Sequence, residues 1–207
     1  MAREFDPVPA CFAGVGFLPK ERIERYVVER LARWKKHTGQ EASLPIDIET
    51  LVEVVEGIEV HYILDESEFE PDVLGAYDFS QKKLFVREAF ENEGRRRFTW
   101  AHEYGHFVLH SPHFLQQVFD FFEGGDDQTV QLNRGTVDKR NILEWQANLF
   151  AGHMLMPTHL VRAALEPKRN LLGPDELVVK LASLAGVSKQ AARIRLEQLE
   201  LIPKSSS

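Results

Sequence analysis

The spacing of apolar residues predicts helices in the first part of the chain. Residues 20–36 follow Pro19 and place apolar side chains three or four positions apart, the period of an amphipathic helix. A second, shorter helix is predicted after Pro45, with Asp47 as its N-terminal cap and Gly57 at its end. Both helices are expected to pack their apolar faces against the core.

The pattern then changes from helical spacing to alternation. Three short strands are predicted, at residues 58–64, 73–79 and 83–87, and the last two are expected to form a hairpin. Helical spacing returns over residues 95–110 and 138–153, and Pro157 suits the first turn of a following helix. Helices combined with a small three-stranded sheet predict an α+β fold.

Residues 174–199 predict two more helices, separated by Gly186-Val187-Ser188, with Ser188 as the N-terminal cap of the second. This arrangement resembles a helix-turn-helix. The polar side chains of the second helix that could face DNA are Lys189, Gln190, Arg193 and Arg195. Because one such unit with a modest positive charge attracts phosphate weakly, we expect these helices to support the core or to dock a protein. The expected division is residues 1–157 for N-terminal helices and core, and residues 158–207 for the C-terminal helical region.

Composition and charge exclude several classes of protein. The chain has 207 residues, is 43% hydrophobic and carries a net charge of −7, which disfavours nucleic-acid binding by bulk electrostatics. Cys11 is the single cysteine, so no internal disulfide can form. No apolar run approaches the roughly 18 residues of a membrane span, and residues 8–19 make a poor signal peptide. We therefore expect a cytoplasmic location.

The segment His102-Glu103-Tyr104-Gly105-His106 carries the strongest chemical signal. Four residues of α-helix advance about 6 Å and just over one turn, so the two histidines project from one face. Two neutral imidazoles held this way can bind Zn²⁺ at about 2.0–2.1 Å. Glu103 is turned about 100° away and can act as general base toward a water. The surrounding helix is apolar, and burying these polar groups without a partner is costly.

A catalytic zinc site usually has a third protein ligand. The candidates downstream are His110, His113, Glu144, His153 and His159. His110 lies about 6 Å further along the same helix, too far to complete a tetrahedron. Glu144 is better placed, because it lies on a separate apolar helix where a buried carboxylate needs a positive partner. Asn148, one turn further, can hydrogen-bond a ligand, and Gly105 and Ala147 allow close helix packing.

Two segments together resemble the ImmA/IrrE family of zinc metallopeptidases: RFTWAHEYGHFVLH and EWQANLFAGHMLMP. The resemblance extends more loosely over residues 45–200. It implies that His102, His106 and Glu144 are zinc ligands and that Glu103 is the catalytic glutamate. It also implies a reduced thermolysin-like core, followed by the helix-turn-helix-like segment. Mn²⁺ or Fe²⁺ can occupy such ligands as well.

The resemblance further implies a zinc-dependent regulatory endopeptidase. Its substrate would be a helix-turn-helix transcriptional repressor, and cleavage would relieve repression in a stress response or in the control of mobile elements. The alternative is a DNA-binding or partner-binding regulator with a structural or sensory metal site. The phenylalanine-rich residues 111–137 depart from the family and would form a lid, a cleft wall or plain packing. The candidate oxyanion donors are Tyr77, Tyr104, His110, Arg140 and His153.

Overall fold

The structure is a computed structural model that describes residues 18–63, 75–78, 81–87, 93–110 and 139–204. Cys11, His113 and the predicted segment 111–137 lie outside the described residues. No helix in these ranges is long and apolar enough to cross a membrane.

The described ranges contain helices and strands close to the predicted positions. The helices are α1 (Lys20–Thr38), α2 (Ile48–Thr50, continued by a π-helical turn, Leu51–Val55), α3 (Glu93–His110), α4 (Lys139–Leu155), α5 (Thr158–Leu165, followed by a 3-10 turn, Glu166–Lys168), α6 (Pro174–Ala185) and α7 (Lys189–Gln198). The strands are β1 (Glu59–Ile63), β2 (Gly75–Asp78) and β3 (Lys83–Arg87). The fold is therefore α+β, as predicted.

Local capping explains where several helices begin and end. The Asp47 side chain accepts a hydrogen bond from the Thr50 N–H at 3.1 Å, as an N-terminal cap should. Ser188 caps α7 in the same way by accepting from the Ala191 N–H at 3.1 Å. Gly186 ends α6 with φ +62°, a left-handed conformation that glycine adopts without strain. The N-terminal caps Asp47 and Ser188 were both predicted from the sequence.

The three strands form one mixed sheet with β3 in the middle. β3 pairs in parallel with β1, from Glu59 opposite Lys83 to Ile63 opposite Arg87, and antiparallel with β2. The predicted β2–β3 hairpin is confirmed. Alternation along β3 buries Leu84 and Val86 on the face that packs toward the helices. Helix α3 contacts both β2 and β3, so the sheet supports the helix that carries the two histidines.

Helices α3 and α4 make the most extensive helix–helix contact among the described residues. Gly105 makes this contact possible, because a Cβ built there would lie 3.2 Å from both the Cα and the carbonyl oxygen of Ala147. It would also lie 3.2 Å from the ring of Phe150. The predicted close approach at Gly105 and Ala147 is confirmed, and it brings the histidine face of α3 against α4.

Buried apolar side chains form two clusters. The first joins α1, α2, the sheet, α3 and α4, and includes Trp100, Tyr104 and Phe150. The second begins at Met156 and joins α5, α6 and α7 through Val161, Leu181 and Leu196. The two helices predicted around Gly186-Val187-Ser188 are present as α6 and α7. The domain boundary at residue 157 stays a prediction.

Arg195 was one of four side chains that could face DNA, and for Arg195 the structure contradicts this possibility. Arg195 is only 1% exposed, and its Nε donates to the Met156 carbonyl oxygen at the end of α4, at 2.9 Å. Its Nη1 and Nη2 donate to His153 Nε2 and Thr158 Oγ1, each at 2.9 Å. The guanidinium satisfies these buried acceptors, and this fixes it in the interior. The neighbouring Arg193 forms an ion pair with Asp175 of α6.

Candidate metal centre

Three side chains from α3 and α4 meet at one point, and all three were predicted as ligands. His102 Nε2 and His106 Nε2 lie 3.1 Å apart. The Glu144 carboxylate lies 3.1 Å from His102 Nε2 and 3.5 Å from His106 Nε2. The histidine side chains are 15% and 18% exposed, and that of Glu144 is 48% exposed, so the point of contact can be reached from solvent.

The hydrogen bonds at the Nδ1 atoms of His102 and His106 determine whether their Nε2 atoms carry a proton or a lone pair. His102 Nδ1 donates a hydrogen bond to Asn148 Oδ1 at 3.0 Å. His106 Nδ1 lies 2.9 Å from His110 Nδ1, and His110 Nε2 donates to Gln146 Oε1 at 3.0 Å. Because His110 donates through Nε2, its Nδ1 accepts the hydrogen bond from His106. Both ligand candidates therefore carry their protons on Nδ1 and present Nε2 lone pairs.

Two imidazole lone pairs and a carboxylate face one another at this point, and such a set repels itself unless something positive lies between. Nitrogen and oxygen atoms that bind one tetrahedral zinc at about 2.0–2.1 Å lie about 3.3 Å from each other. The separations of 3.1, 3.1 and 3.5 Å match that spacing. His102, His106 and Glu144 are also the three-residue group in the described part of the chain that can hold a metal ion. The donor set fits zinc.

The pKa values of His102, Glu144 and His110 also reflect the attraction of this cluster for positive charge. In the absence of a metal, a proton can take its place between the Nε2 atoms and Glu144. Burial opposes this protonation of His102, but the resulting hydrogen bond to Glu144 and the nearby carboxylates raise the pKa of His102 above the ordinary value. In this protonated form, hydrogen bonds from His102 and His106 hold the pKa of Glu144 well below its usual range. Burial and the neighbouring His106 lower the pKa of His110 to about 3, so that His110 is neutral, as its accepting role requires. The cluster thus attracts positive charge while His110 stays uncharged.

Glu103 lies beside this group without joining it. It is 9% exposed, and burial raises the pKa of its carboxyl, although the nearby His106 and His102 act in the opposite direction. No described side chain donates a hydrogen bond to it. This position agrees with the prediction that Glu103 is rotated about 100° from His102 around the helix axis. Glu103 is therefore free to exchange a proton with a molecule bound next to the three ligand candidates.

The remaining candidates from the sequence lie elsewhere. His153 contacts Arg195 at the far end of α4, and the exposed His159 is on α5, so neither joins the group. The candidate oxyanion donors are also engaged: Tyr104 donates to Glu56 at 2.9 Å, and His110 and His153 have the partners described above. The side chains of Tyr77 and Arg140 lie outside the described residues.

The sequence reasoning missed one residue and correctly singled out another. The sequence indicates that Asn148 can hydrogen-bond a ligand, the substrate backbone or buried backbone groups, and in the structure it accepts from the ligand candidate His102. The sequence analysis assigns no role to Gln146, although it is fully buried and fixes His110. The available signal is its position: a polar side chain within an apolar helix, two residues after Glu144, needs a buried partner. His110 is predicted only as a candidate ligand or oxyanion donor, whereas in the structure it accepts from His106.

Comparison with known proteins identifies the family to which this sequence is similar and a solved structure with a similar fold. The model of the Peptidase M78 family, described as the IrrE N-terminal-like domain, matches residues 57–197. Among curated proteins, none matches the chain. A solved structure of a Mycobacterium tuberculosis transcriptional regulator is similar in fold, with a TM-score of 0.53 and 19% sequence identity. The alignment covers 87% of this chain and 52% of that one, so this chain spans about half the length of the regulator.

Proposed function

The chain belongs to the Peptidase M78 family of IrrE N-terminal-like domains and carries a metallopeptidase-type domain, and from this premise we propose that it is a zinc-dependent regulatory endopeptidase. The observation that carries the proposal is the convergence of three lone-pair donors from two helices at a point accessible to solvent. We also propose that the α+β core corresponds to a reduced thermolysin-like core.

His102, His106 and Glu144 would hold the metal, and the family membership implies that a metal is present. Bound zinc supplies Lewis acidity, which lowers the pKa of water toward about 7 and polarises a carbonyl group. Mn²⁺ or Fe²⁺ would suit the same donors. The hydrogen bonds that His102 and His106 donate to Asn148 and His110 leave both Nε2 atoms free and would orient them for the metal.

Glu103 is the proposed general base and acid. Its burial raises the pKa of the carboxyl, which makes Glu103 a better proton acceptor than an exposed carboxylate. Glu103 takes the proton of the attacking water and later gives it to the leaving amine of the cut peptide. It contacts no hydrogen-bond donor among the described residues, so none of these residues occupies the carboxylate that would receive the proton.

The proposed substrate is a helix-turn-helix transcriptional repressor whose cleavage restores transcription, in a stress response or in the control of mobile elements. The support is the family membership together with the resemblance of the two motif segments to regulatory peptidases. The similar solved structure is named a transcriptional regulator, which agrees with a role in transcription but leaves the substrate to be identified.

The test uses the protein loaded with zinc and the product of a neighbouring open reading frame that encodes a small helix-turn-helix protein. Wild type should yield two fragments. Glu103→Gln should bind zinc equally but cut roughly 10²–10⁴ times more slowly, because it loses only proton transfer. Glu93→Gln, an exposed change at the start of the same helix, is the matched control and should cut normally. Normal cleavage by Glu103→Gln would overturn the assigned base, and an intact partner with wild type would overturn the proposed substrate.

The second candidate function is a DNA-binding regulator, which the α6–α7 pair favours. The charges of α7 argue against DNA binding, because Arg195 is buried and Arg193 is paired with Asp175. A gel-shift assay at physiological salt with the Glu103→Gln protein separates the two functions. We expect no shift with the operator DNA of the partner repressor, and a specific shift would favour the regulator.

A further inference from the structure

The groove between α3 and α4 continues past the candidate metal centre into a pocket of about 670 Å³. Residues four apart on a helix lie on one face, so the α4 face that carries Glu144 also carries Asn148 and then Gly152. On α3, the face that carries His102 carries Phe98 one turn earlier. The pocket begins at Asn148 and Phe98, and helix α7 forms its far wall.

The two side chains at the mouth of the pocket both touch a ligand candidate. Asn148 accepts the hydrogen bond from His102 Nδ1, and the Phe98 ring lies 6.5 Å from the His102 ring, centre to centre. Asn148 is one helical turn, about 6 Å, from Glu144 along α4, and Gly152 is about 12 Å away. A group that fills the pocket therefore lies about 6–12 Å from Glu144 along α4.

The lining is mostly apolar and partly open to solvent. Met156 and Ala191 lie inside, while Trp145 and Ile194 at the edge are 43% and 49% exposed. Polar groups contribute to the lining as well, from Arg95, Asn148, Ser188, Gln190, Arg195 and Gln198. The volume lies within the range of about 300–1,000 Å³ typical of ligand sites. An apolar pocket with a few hydrogen-bonding groups suits a large apolar side chain attached to a peptide backbone.

We propose that this pocket is the specificity subsite of the peptidase and holds a large aliphatic or aromatic side chain of the substrate polypeptide. This inference rests on the proposed function. An extended peptide advances about 3.3 Å per residue, so the 6–12 Å along α4 place the recognised side chain about two to four residues from the scissile bond. Helix α7 then recognises substrate with the face that carries Ala191 and Ile194.

Gly152 offers a direct way to fill the pocket. A Cβ built at Gly152 meets no atom within 4 Å, so a leucine side chain has room to enter. Replacing a glycine inside a helix also favours the helix, so Gly152→Leu should fold. Gly152→Ala is the matched control, because it gains the same helical preference but leaves most of the pocket open.

The first experiment measures binding without catalysis. Methyl-labelled zinc-free protein is titrated with N-acetyl-leucinamide or N-acetyl-alaninamide and followed by NMR. We expect the leucine compound to shift the methyl signals of Ile194 and Ala191 in wild type and Gly152→Ala, and to bind at least about 10-fold more tightly than the alanine compound. Gly152→Leu should lose this binding. Equal binding by Gly152→Leu, or no difference between the two compounds, would overturn the subsite.

The second experiment measures cleavage of a peptide library by zinc-loaded protein, with the cut sites read by mass spectrometry. Wild type and Gly152→Ala should prefer a large apolar residue at one fixed position within four residues of the cut, and Gly152→Leu should lose that preference while retaining zinc. Cleavage with no preference, or with one that Gly152→Leu leaves unchanged, would overturn the subsite. Leucinamide binding without cleavage of any peptide would support the pocket and overturn the proposed peptidase.

Discussion

Helix α4 carries a polar cluster toward each end, and the two clusters have opposite chemistry. In its first half, the half-exposed Glu144 faces the Nε2 lone pairs of two histidines. At its last turn, the buried His153 faces the guanidinium of Arg195. With neutral imidazoles, the first cluster presents only acceptors to the point where its side chains meet. In the second cluster, Arg195 donates hydrogen bonds to the acceptors around it.

This difference shows why the presence of histidine alone does not identify a metal site. The Glu144 cluster lacks a positive group and can be reached from solvent, so it can receive a cation. The second cluster already contains a cation, and burial together with Arg195 lowers the pKa of His153 to about 3. The direction of the hydrogen bonds distinguishes the candidate metal centre from the structural cluster.

The largest expected effect comes from changing the two ends of α4 separately. Glu144→Ala should weaken zinc binding by more than the roughly 10–100-fold typical of changes to outer partners, because a ligand is lost. His153→Gln should bind zinc like wild type, since glutamine can still accept from Arg195. Competition with a chelator measures both affinities. If the two variants lose zinc equally, the distinction between the clusters is wrong.

Removing the cation from the second cluster should affect stability instead of metal binding. Arg195→Met leaves the Met156 carbonyl, Thr158 and His153 without their donor, at a cost of about 1–3 kcal/mol. Urea unfolding measures the free energy of unfolding, and zinc content per folded molecule should stay constant. An unchanged free energy of unfolding would contradict the structural role of Arg195.

The hydrogen-bond chain behind His106 should have an intermediate effect on zinc. His110→Phe and Gln146→Leu should each weaken zinc binding by about 10–100-fold, because His106 loses the partner that orients it. The double variant should be little worse than His110→Phe alone, since both residues act through the same chain. Additive losses in a double-mutant cycle would show that Gln146 acts by another route.

A further effect, on the pH dependence of stability, is expected from His153. The folded-state pKa of His153 is about 3 against an ordinary 6.5, so the unfolded chain takes up the proton first as pH falls. Neutral His153 therefore contributes to the free energy of unfolding. The contribution is complete above about pH 6.5 and is lost toward pH 3, with a slope of at most about 1.4 kcal/mol per pH unit. Urea unfolding of His153→Gln between pH 7 and pH 5 should show a shallower loss than wild type. Identical slopes would mean that His153 is not buried in its neutral form.

The sequence predicted the elements of the candidate site well, because each depends on short-range geometry. Histidines four apart on a helix must share a face. The burial expected for Glu144 is wrong, because its side chain is 48% exposed, although it does face the two histidines. The small residues Gly105 and Ala147 indicated where the two helices meet, and Asp47 and Ser188 marked helix starts by their capping chemistry. These signals do not require knowledge of the tertiary arrangement.

Other features depended on how distant elements pack, and the sequence could not supply them. Arg195 is typical of an exposed DNA-contacting residue in a helix-turn-helix pattern, yet it satisfies acceptors of α4 and α5 some 40 positions earlier. The pairing of Gln146 with His110 and the pocket between α4 and α7 likewise arise only when the helices are placed together. Side chains whose role is set by a partner on another helix are the ones that pattern alone misplaces.

The most direct test of the metal centre is a crystal structure of the zinc-loaded Glu103→Gln protein, with anomalous scattering measured on both sides of the zinc absorption edge. We predict one zinc peak between His102 Nε2, His106 Nε2 and the Glu144 carboxylate, about 2.0–2.2 Å from each ligand atom. A fully loaded crystal with the peak elsewhere, or with the Glu144 side chain turned away from the metal, would contradict the account.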